Sequence, residues 1–320
     1  VVSRFSVSLT KACSQQRLIL NRSLSGIVIL YAEVIITLKV LVAGADGMVG
    51  RAVVEHCAAR GDEVMAHNRR SLDITDKWAV SETFKNESPD IVINCAAWTD
   101  VDGCESDTER AFAVNSYAVE TLALNSRRAR ALFVTISTDY VFDGSKEGFY
   151  TQRDDPHPTS VYGAAKLEGE RRAQAASART VVVRSGWIFG SGGRNFLSTI
   201  IERARRGEHL KAISDAYGMP TYASDLAARL RRLAEMDIPG VYHVVNSGTG
   251  ASYEGFTRAA LKAAQCESIE VEPVLMDTLD RPAPRPRNSR MHCLLSEAIG
   301  LPALPDWESA LSVFVGQNVR

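Results

Sequence analysis

The 320 residues hold no C-x-x-C pair, no H-E-x-x-H, no Walker A loop and no EF-hand loop, and the six histidines are dispersed. A zinc ribbon, a redox dithiol and a dedicated metal site are therefore not expected. The six cysteines (Cys13, Cys57, Cys95, Cys104, Cys266, Cys293) are scattered and read as reduced thiols of a cytoplasmic chain. No basic excess exists either: 37 Lys+Arg against 38 Asp+Glu leave a formal charge of −1, which gives no pull toward a nucleic acid or an anionic membrane surface. Nor is there a long apolar run, since Gly26 to Leu38 is too short to span a bilayer and carries Glu33 in its middle. What is present, 45% hydrophobic and 23% charged residues, is the balance of a folded globular chain. The length fits two domains, or one doubly wound α/β core with a C-terminal elaboration.

The first 38 residues differ from the rest. Arg4, Lys11, Arg17 and Arg22 come with many serines and no acid before Glu33. Such a stretch reads as an organelle transit peptide, as a signal sequence, or as sequence upstream of the domain that starts at Lys39. Under the last reading, residues 1–38 are an extension outside the native fold.

From Lys39 onward short apolar runs alternate with helical patterns, the signature of a parallel sheet wrapped by helices. Strands are expected at Lys39 to Ala43, Glu63 to His67, Ile91 to Asn94, Ala131 to Ile136, Thr180 to Arg184 and Val241 to Val245. Helices are expected at Met48 to Ala59, Ser106 to Arg128, Val161 to Ala176, Asn195 to Arg206 and Ser224 to Met236. The resulting fold class is a doubly wound parallel Rossmann sheet over residues 39–185, with a smaller, mostly substrate-binding part over 186–320. The strand near 241–245 is expected to return to the first unit. Arg281 to Arg287, R-P-A-P-R-P-R, can be neither helix nor central strand and should lie over a surface or a site.

Gly44, Asp46, Gly47, Met48, Val49 and Gly50 lie in a G-x-x-G-x-x-G turn between the first strand and first helix. Glycines there let the backbone turn sharply and approach a pyrophosphate, which the helix N-terminus then holds. After the second strand comes His67-Asn68-Arg69-Arg70 with no acid to clamp a ribose 2′-hydroxyl. Two guanidinium groups suit a 2′-phosphate, so NADPH is preferred, with NADH admissible. Asp73 and Ile74 follow and could flank the adenine.

Tyr162 and Lys166 stand four residues apart and share one face of a helix. A fixed ammonium favours a neighbouring phenolate, which would bring the tyrosine into range for proton shuttling. A hydroxyl from Ser137-Thr138-Asp139-Tyr140, at the end of a strand, could bond the same carbonyl oxygen that the tyrosine protonates.

With G-A-D-G-M-V-G, D-I-V-I-N-C-A-A-W-T-D-V-D, S-T-D-Y-V-F-D-G, V-Y-G-A-A-K-L-E-G-E, R-S-G-W-I-F-G and Y-G-M-P-T, the chain from about Lys39 to Leu311 resembles the extended short-chain dehydrogenase/reductases. Within them it is similar to the dTDP-4-dehydrorhamnose reductase family. The resemblance implies a catalytic Thr138, Tyr162 and Lys166, with Lys166 also a ligand of the nicotinamide ribose. It implies a cofactor cleft lined by Ala96, Ala97 and Thr99, with Asn115 close by or simply a structural amide inside a helix. On the substrate side it implies Val101, Asp102, Thr138, Asp139, Tyr140, Trp187, Met219, Thr221 and Arg285. Trp187 could equally be a core indole, and Arg281, Arg285 and Arg287 could meet a diphosphate or be solvated. The implied partner is a dTDP-sugar whose C4 ketone is reduced; a homodimer is compatible with the family. The missing acid after the second strand departs from the family pattern and bears on coenzyme choice. Rival readings are another nucleotide-deoxysugar ketoreductase, and a non-catalytic subunit similar to the regulatory subunit of methionine adenosyltransferase. Against the latter stands the joint presence of Thr138, Tyr162 and Lys166.

Overall fold

The computed structural model describes residues 14–22, 28–193 and 196–318. Its centre is a sheet of β1 (Lys39–Ala43), β2 (Glu63–His67), β3 (Ile91–Asn94), β4 (Leu132–Thr138), β5 (Thr180–Ser185) and β6 (Gly240–His243). All neighbours are parallel, in the order β6-β5-β4-β3-β1-β2. Strands buried on both faces need apolar residues throughout, and Val40, Leu41 and Val42 are fully buried. Val40 and Val42 pack toward α1 (Met48–Ala59), whereas Leu41 and Ala43 pack on the opposite face. That second face is covered by α2 (Lys77–Glu87), with Val80 and Phe84, and by helices further along the chain. The doubly wound α/β class expected from the sequence is thereby confirmed.

The chain reverses its winding direction between β1 and β3, which opens a crevice at their carboxyl ends, where ligands of such sheets bind. Four helical pieces lie near that crevice, the last three forming one continuous run from Thr108 to Ala129 where a single helix from Ser106 to Arg128 is expected. These are α3 (Val101–Ser106), α4 (Thr108–Phe112), a π turn (Ala113–Tyr117) and α5 (Ala118–Ala129). Asp107 makes the break: it leaves helical geometry at φ −138° and its carboxylate caps Arg110 N at 3.0 Å. The π turn lies against α6 (Val161–Ala176), where Gly169 lets the Asn115 carbonyl come within 2.2 Å of where a Cβ would sit.

Beyond β5 the elements shorten and the core becomes aromatic. Ile188–Phe189 pairs with Thr221–Tyr222, and Leu210–Ile213 with Val271–Val274. Helices α7 (Phe196–Arg205), α8 (Ala223–Met236), α9 (Tyr253–Ala263), α10 (Leu294–Ala298) and α11 (Trp307–Asn318) complete the fold. Of these α8 lies with α1 on the first face of the sheet, through Leu226 and Leu230. A core of Phe189, Tyr222, Phe256, Trp307 and Phe314 joins α7, α9 and α11, while Leu295 of α10 packs on the sheet side. The Pro/Arg segment crosses back to the first half: Ala283 N and Arg285 Nη2 both donate to the Asp102 carboxylate, at 3.1 and 2.7 Å. Before the sheet, Ser14–Arg22 and Val28–Ile36 form an antiparallel hairpin that is a sheet of its own, within the stretch whose composition differs from the rest.

Candidate active site

The glycine turn is shaped by close approach. Gly44 sits at φ +79°, and a Cβ there would meet Ala96 N at 2.6 Å; one on Gly50 would meet the Gly44 carbonyl at 2.1 Å. Gly47 is the N-cap of α1, with no side-chain cap bond and no acid in the helix's first turn, and it lines the crevice. This cradle fits a dinucleotide diphosphate.

Two cavities extend from it. One, of about 670 Å³, is lined by Gly44, Asp46, Gly47, Asn68, Arg69, Asp73 and Ile74, and by Trp98 and Arg110. The Arg110 guanidinium lies 4.2 Å from the Trp98 ring centre. The other, of about 520 Å³, shares Gly47, Cys95, Ala96 and Ala97 with the first and continues past Met48, Val49, Gly50, Thr99 and Val101. It ends among Thr138, Asp139, Tyr140, Tyr162, Lys166 and Trp187. A single groove therefore joins the glycine turn to the tyrosine and lysine. Arg70 is not in its wall; the Arg70 backbone N–H instead donates to Asn68 Oδ1 at 2.9 Å, in a turn that Asn68 holds together.

Asn115 is a structural amide. Its Nδ2 donates to the Trp98 carbonyl and its Oδ1 accepts Trp98 N–H, both at 2.9 Å, which pins the loop carrying Ala96, Ala97 and Thr99.

At the inner end, Ser160 caps α6 by accepting Gly163 N–H at 3.1 Å, and the helix presents Tyr162 and Lys166 at 9 and 5% exposure. Lys166 Nζ donates to the Ile136 carbonyl at 2.6 Å. Thr138 Oγ1 donates to Asp139 Oδ1 at 3.1 Å and accepts Tyr140 N–H at 3.2 Å. Burial is the largest influence on every titrating group here. It lowers the Lys166 ammonium to about 8, raises the Asp139 carboxyl to about 6 against its hydrogen bonds from Ser289 and Thr138, and raises the Tyr162 phenol above its ordinary value. The last direction is opposite to the one expected from a neighbouring lysine. Desolvation outweighs the opposing hydrogen bond from Thr138, and the phenol is held in its proton-donating form.

Trp187 forms a wall. It is a bulky residue at φ +49°, stacked on Tyr253 with ring centres 3.9 Å apart, and a Cβ on Gly218 would meet its indole at 2.2 Å. Behind it a chamber of about 170 Å³ is lined by Tyr140, Phe189, Phe196, Tyr253 and Phe256. Four expected substrate contacts lie outside the groove wall. Met219 and Thr221 are buried outside the groove, and Thr221 Oγ1 donates to the Met219 carbonyl at 3.1 Å, fixing the turn that lays Gly218 under Trp187. Asp102 and Arg285 are engaged with each other, and Arg287 pairs with Asp215 and Asp277, so these charges anchor the Pro/Arg segment. Trp98, Arg110, Tyr253 and Phe256 escaped the sequence reading; only the last two had a signal, an aromatic pair at i and i+3.

Among the described residues no group of three or more His, Cys, Asp or Glu could hold a metal ion, and no helix is long and apolar enough to cross a membrane.

A doubly wound sheet, a glycine cradle at its switch point and a buried Thr, Tyr and Lys around one groove define an NAD(P)-dependent oxidoreductase. Residues 38–319 match the family described as RmlD substrate binding domain, and the chain belongs to that family. It is 36% identical over 276 residues to a dTDP-4-dehydrorhamnose reductase of Mycolicibacterium smegmatis, covering 85% of this chain and 84% of that one. It is 35% identical over 281 residues to the spore coat polysaccharide biosynthesis protein SpsK of Bacillus subtilis, covering 88% and 98%. The crystal structure of dTDP-4-dehydrorhamnose reductase from Bacillus anthracis in complex with NADP superposes with a TM-score of 0.86 at 30% identity, covering 88% of this chain and 100% of that one.

Proposed function

We propose that this protein reduces the C4 ketone of dTDP-4-dehydro-L-rhamnose to dTDP-L-rhamnose with NADPH. The observation that carries the reading is the convergence of Thr138, Tyr162 and Lys166 at the closed end of a groove that begins in the glycine cradle. When bound, the nicotinamide supplies the hydride. Gly44, Asp46, Gly47, Met48, Val49 and Gly50 would hold its diphosphate, Arg69 a 2′-phosphate, and Ala96, Ala97 and Thr99 the path between.

The protein's own work is proton transfer and orientation. Buried and protonated, Tyr162 gives its phenolic proton to the oxygen of the carbonyl being reduced. Thr138 would bond the same oxygen by turning its one hydroxyl hydrogen from Asp139 Oδ1 to it, while the Tyr140 N–H that it accepts holds Oγ1 in place. Lys166, fixed on the Ile136 carbonyl, places a positive charge beside the phenolate that remains. Trp187 walls the sugar side. The name of the Mycolicibacterium relative supports the choice of sugar, and residues 39–185 then serve mainly the coenzyme and 186–320 mainly the sugar nucleotide.

The test supplies dTDP-4-dehydro-L-rhamnose with NADPH or NADH and follows nicotinamide absorbance. Oxidation that depends on the sugar nucleotide and is faster with NADPH is expected. Coenzyme binding without turnover, together with a stoichiometric partner enzyme on purification, would favour the regulatory-subunit reading instead.

A further inference from the structure

Three arginines are buried among the described residues: Arg184, Arg229 and Arg231, at 6, 8 and 4% exposure. Arg184 meets the Glu170 carboxylate at 2.7 Å, and Arg231 meets both oxygens of Asp62 at 2.6 and 2.9 Å. Arg229, two residues before Arg231 on α8, has no carboxylate partner; its Nη2 donates to the Pro302 carbonyl. A guanidinium taken out of water and left without a counter-charge is unfavourable, and the other two show how this fold otherwise avoids it.

Arg229 lines a cavity of about 330 Å³ that shares no wall residue with the groove or its chamber. That volume is at the small end of ligand pockets. Phe149, Met219, Met291 and Leu301 make much of its surface. Most of the remaining polar groups are engaged, although His243 Nε2 is buried without a hydrogen-bond partner. His243 is kept neutral by burial and sets Nδ1 against the His292 carbonyl at 3.0 Å. Cys293 Sγ accepts from Gln152 Nε2 and Ser296 Oγ, both at 3.1 Å. Glu297, also in the wall, pairs with His292 Nε2 at 3.0 Å. The Arg229 cation, the unpartnered His243 Nε2 and an apolar wall remain to meet an occupant.

We propose that this cavity is a binding site for a small monocarboxylate with an apolar body, its carboxylate on the Arg229 fork and its body against Phe149, Met219, Met291 and Leu301. A planar carboxylate matches the guanidinium, and an inorganic anion would leave the apolar wall unfilled.

The test is calorimetric titration of the full chain with benzoate, its neutral isostere benzamide, and inorganic phosphate at fixed ionic strength. Benzoate is expected to bind at least ~10-fold more tightly than benzamide or phosphate, and Arg229→Gln to abolish the preference. Should Arg229→Gln fail to fold, the wild-type protein still decides, because Cys293 lines this cavity whereas Cys95 lines the groove. Benzoate should slow iodoacetamide alkylation of Cys293, read by peptide mass, and leave Cys95 unchanged. Benzoate binding no tighter than benzamide, phosphate binding as tightly as benzoate, a preference that survives Arg229→Gln, or protection of Cys95 in place of Cys293 would each overturn the proposal. No turnover is measured, so its failure is separate from failure of the proposed reaction.

Discussion

The two ends of the groove solve different problems with different materials. At the outer end Arg69 is exposed, Asn68 spends its side chain closing its own turn, and the charged groups sit in solvent. At the inner end Tyr162, Lys166 and Asp139 are buried, and burial moves all three away from their ordinary titration ranges. An exposed guanidinium keeps its charge at any working pH and can recognise a phosphate without being desolvated beforehand. A proton donor needs the opposite, an environment that fixes which form is present before substrate arrives. Recognition can sit on a solvated rim, while proton transfer needs the dry interior.

The sharpest way to break this contrast is at Tyr162. Tyr162→Phe keeps the ring that meets Tyr140 edge-on at 5.9 Å but removes the proton, so kcat should fall by at least ~10²-fold with coenzyme affinity nearly unchanged. Near-normal turnover of the sugar nucleotide would show that another group is the acid.

Lys166 tests whether burial sets the pH response. Its folded-state value, lowered by desolvation to about 8, means the ammonium is present below that pH and lost above it. Turnover of the wild-type enzyme should therefore decline on the alkaline side near pH 8, and Lys166→Met should lose that limb along with much of its rate, on the order of 10-fold or more. The phenol, raised by burial, should add no limb at neutral pH. A pH–rate profile of the methionine variant that keeps the same alkaline limb would assign it elsewhere.

At the rim the effects should be smaller and selective. Arg69→Ala should raise KM for NADPH on the order of 10-fold and leave NADH nearly unchanged, while Arg70→Ala, outside the cavity wall, should do less. Equal changes for both coenzymes would separate Arg69 from the 2′-phosphate.

The same division governed what could be read from the chain. β1, β2 and β3 run over the residues expected because β1 and β3 are buried on both faces and leave unbroken apolar runs between turn signals. Gly44, Gly50, Tyr162 and Lys166 were legible because local spacing sets their geometry. The break at Asp107 and the π turn were not, since they answer to tertiary partners: Trp98 bonded by Asn115, and Gly169 on another helix. The placement of Met219 and Thr221 outside the groove was not legible for the same reason, their burial depending on how a short turn meets Trp187. Tyr253 lies on α9, a helix outside the alternating pattern, and only the folded chain stacks it on Trp187.

The smallest effect is expected where the chain adds a sheet without extending the core. Ser14–Arg22 and Val28–Ile36 pair with each other and with no strand of the six-stranded sheet, and a lone two-stranded hairpin is marginal by itself. Leu38 ties the chain to the core: its N–H donates to Asp62 Oδ1 at 3.3 Å and its carbonyl accepts Glu63 N–H at 2.9 Å. Asp62 is also the counter-charge of Arg231, so a cut that removed Leu38 would disturb a buried ion pair. Deleting residues 1–36 spares that tie. Stability should then change by no more than the ~0.5 kcal/mol typical of changes away from the core, a melting-temperature shift of about 1–2 °C, and kcat and both KM values should stay as they were. A loss of several degrees, or of turnover, would show that the hairpin packs on the sheet or the groove and contributes to the fold.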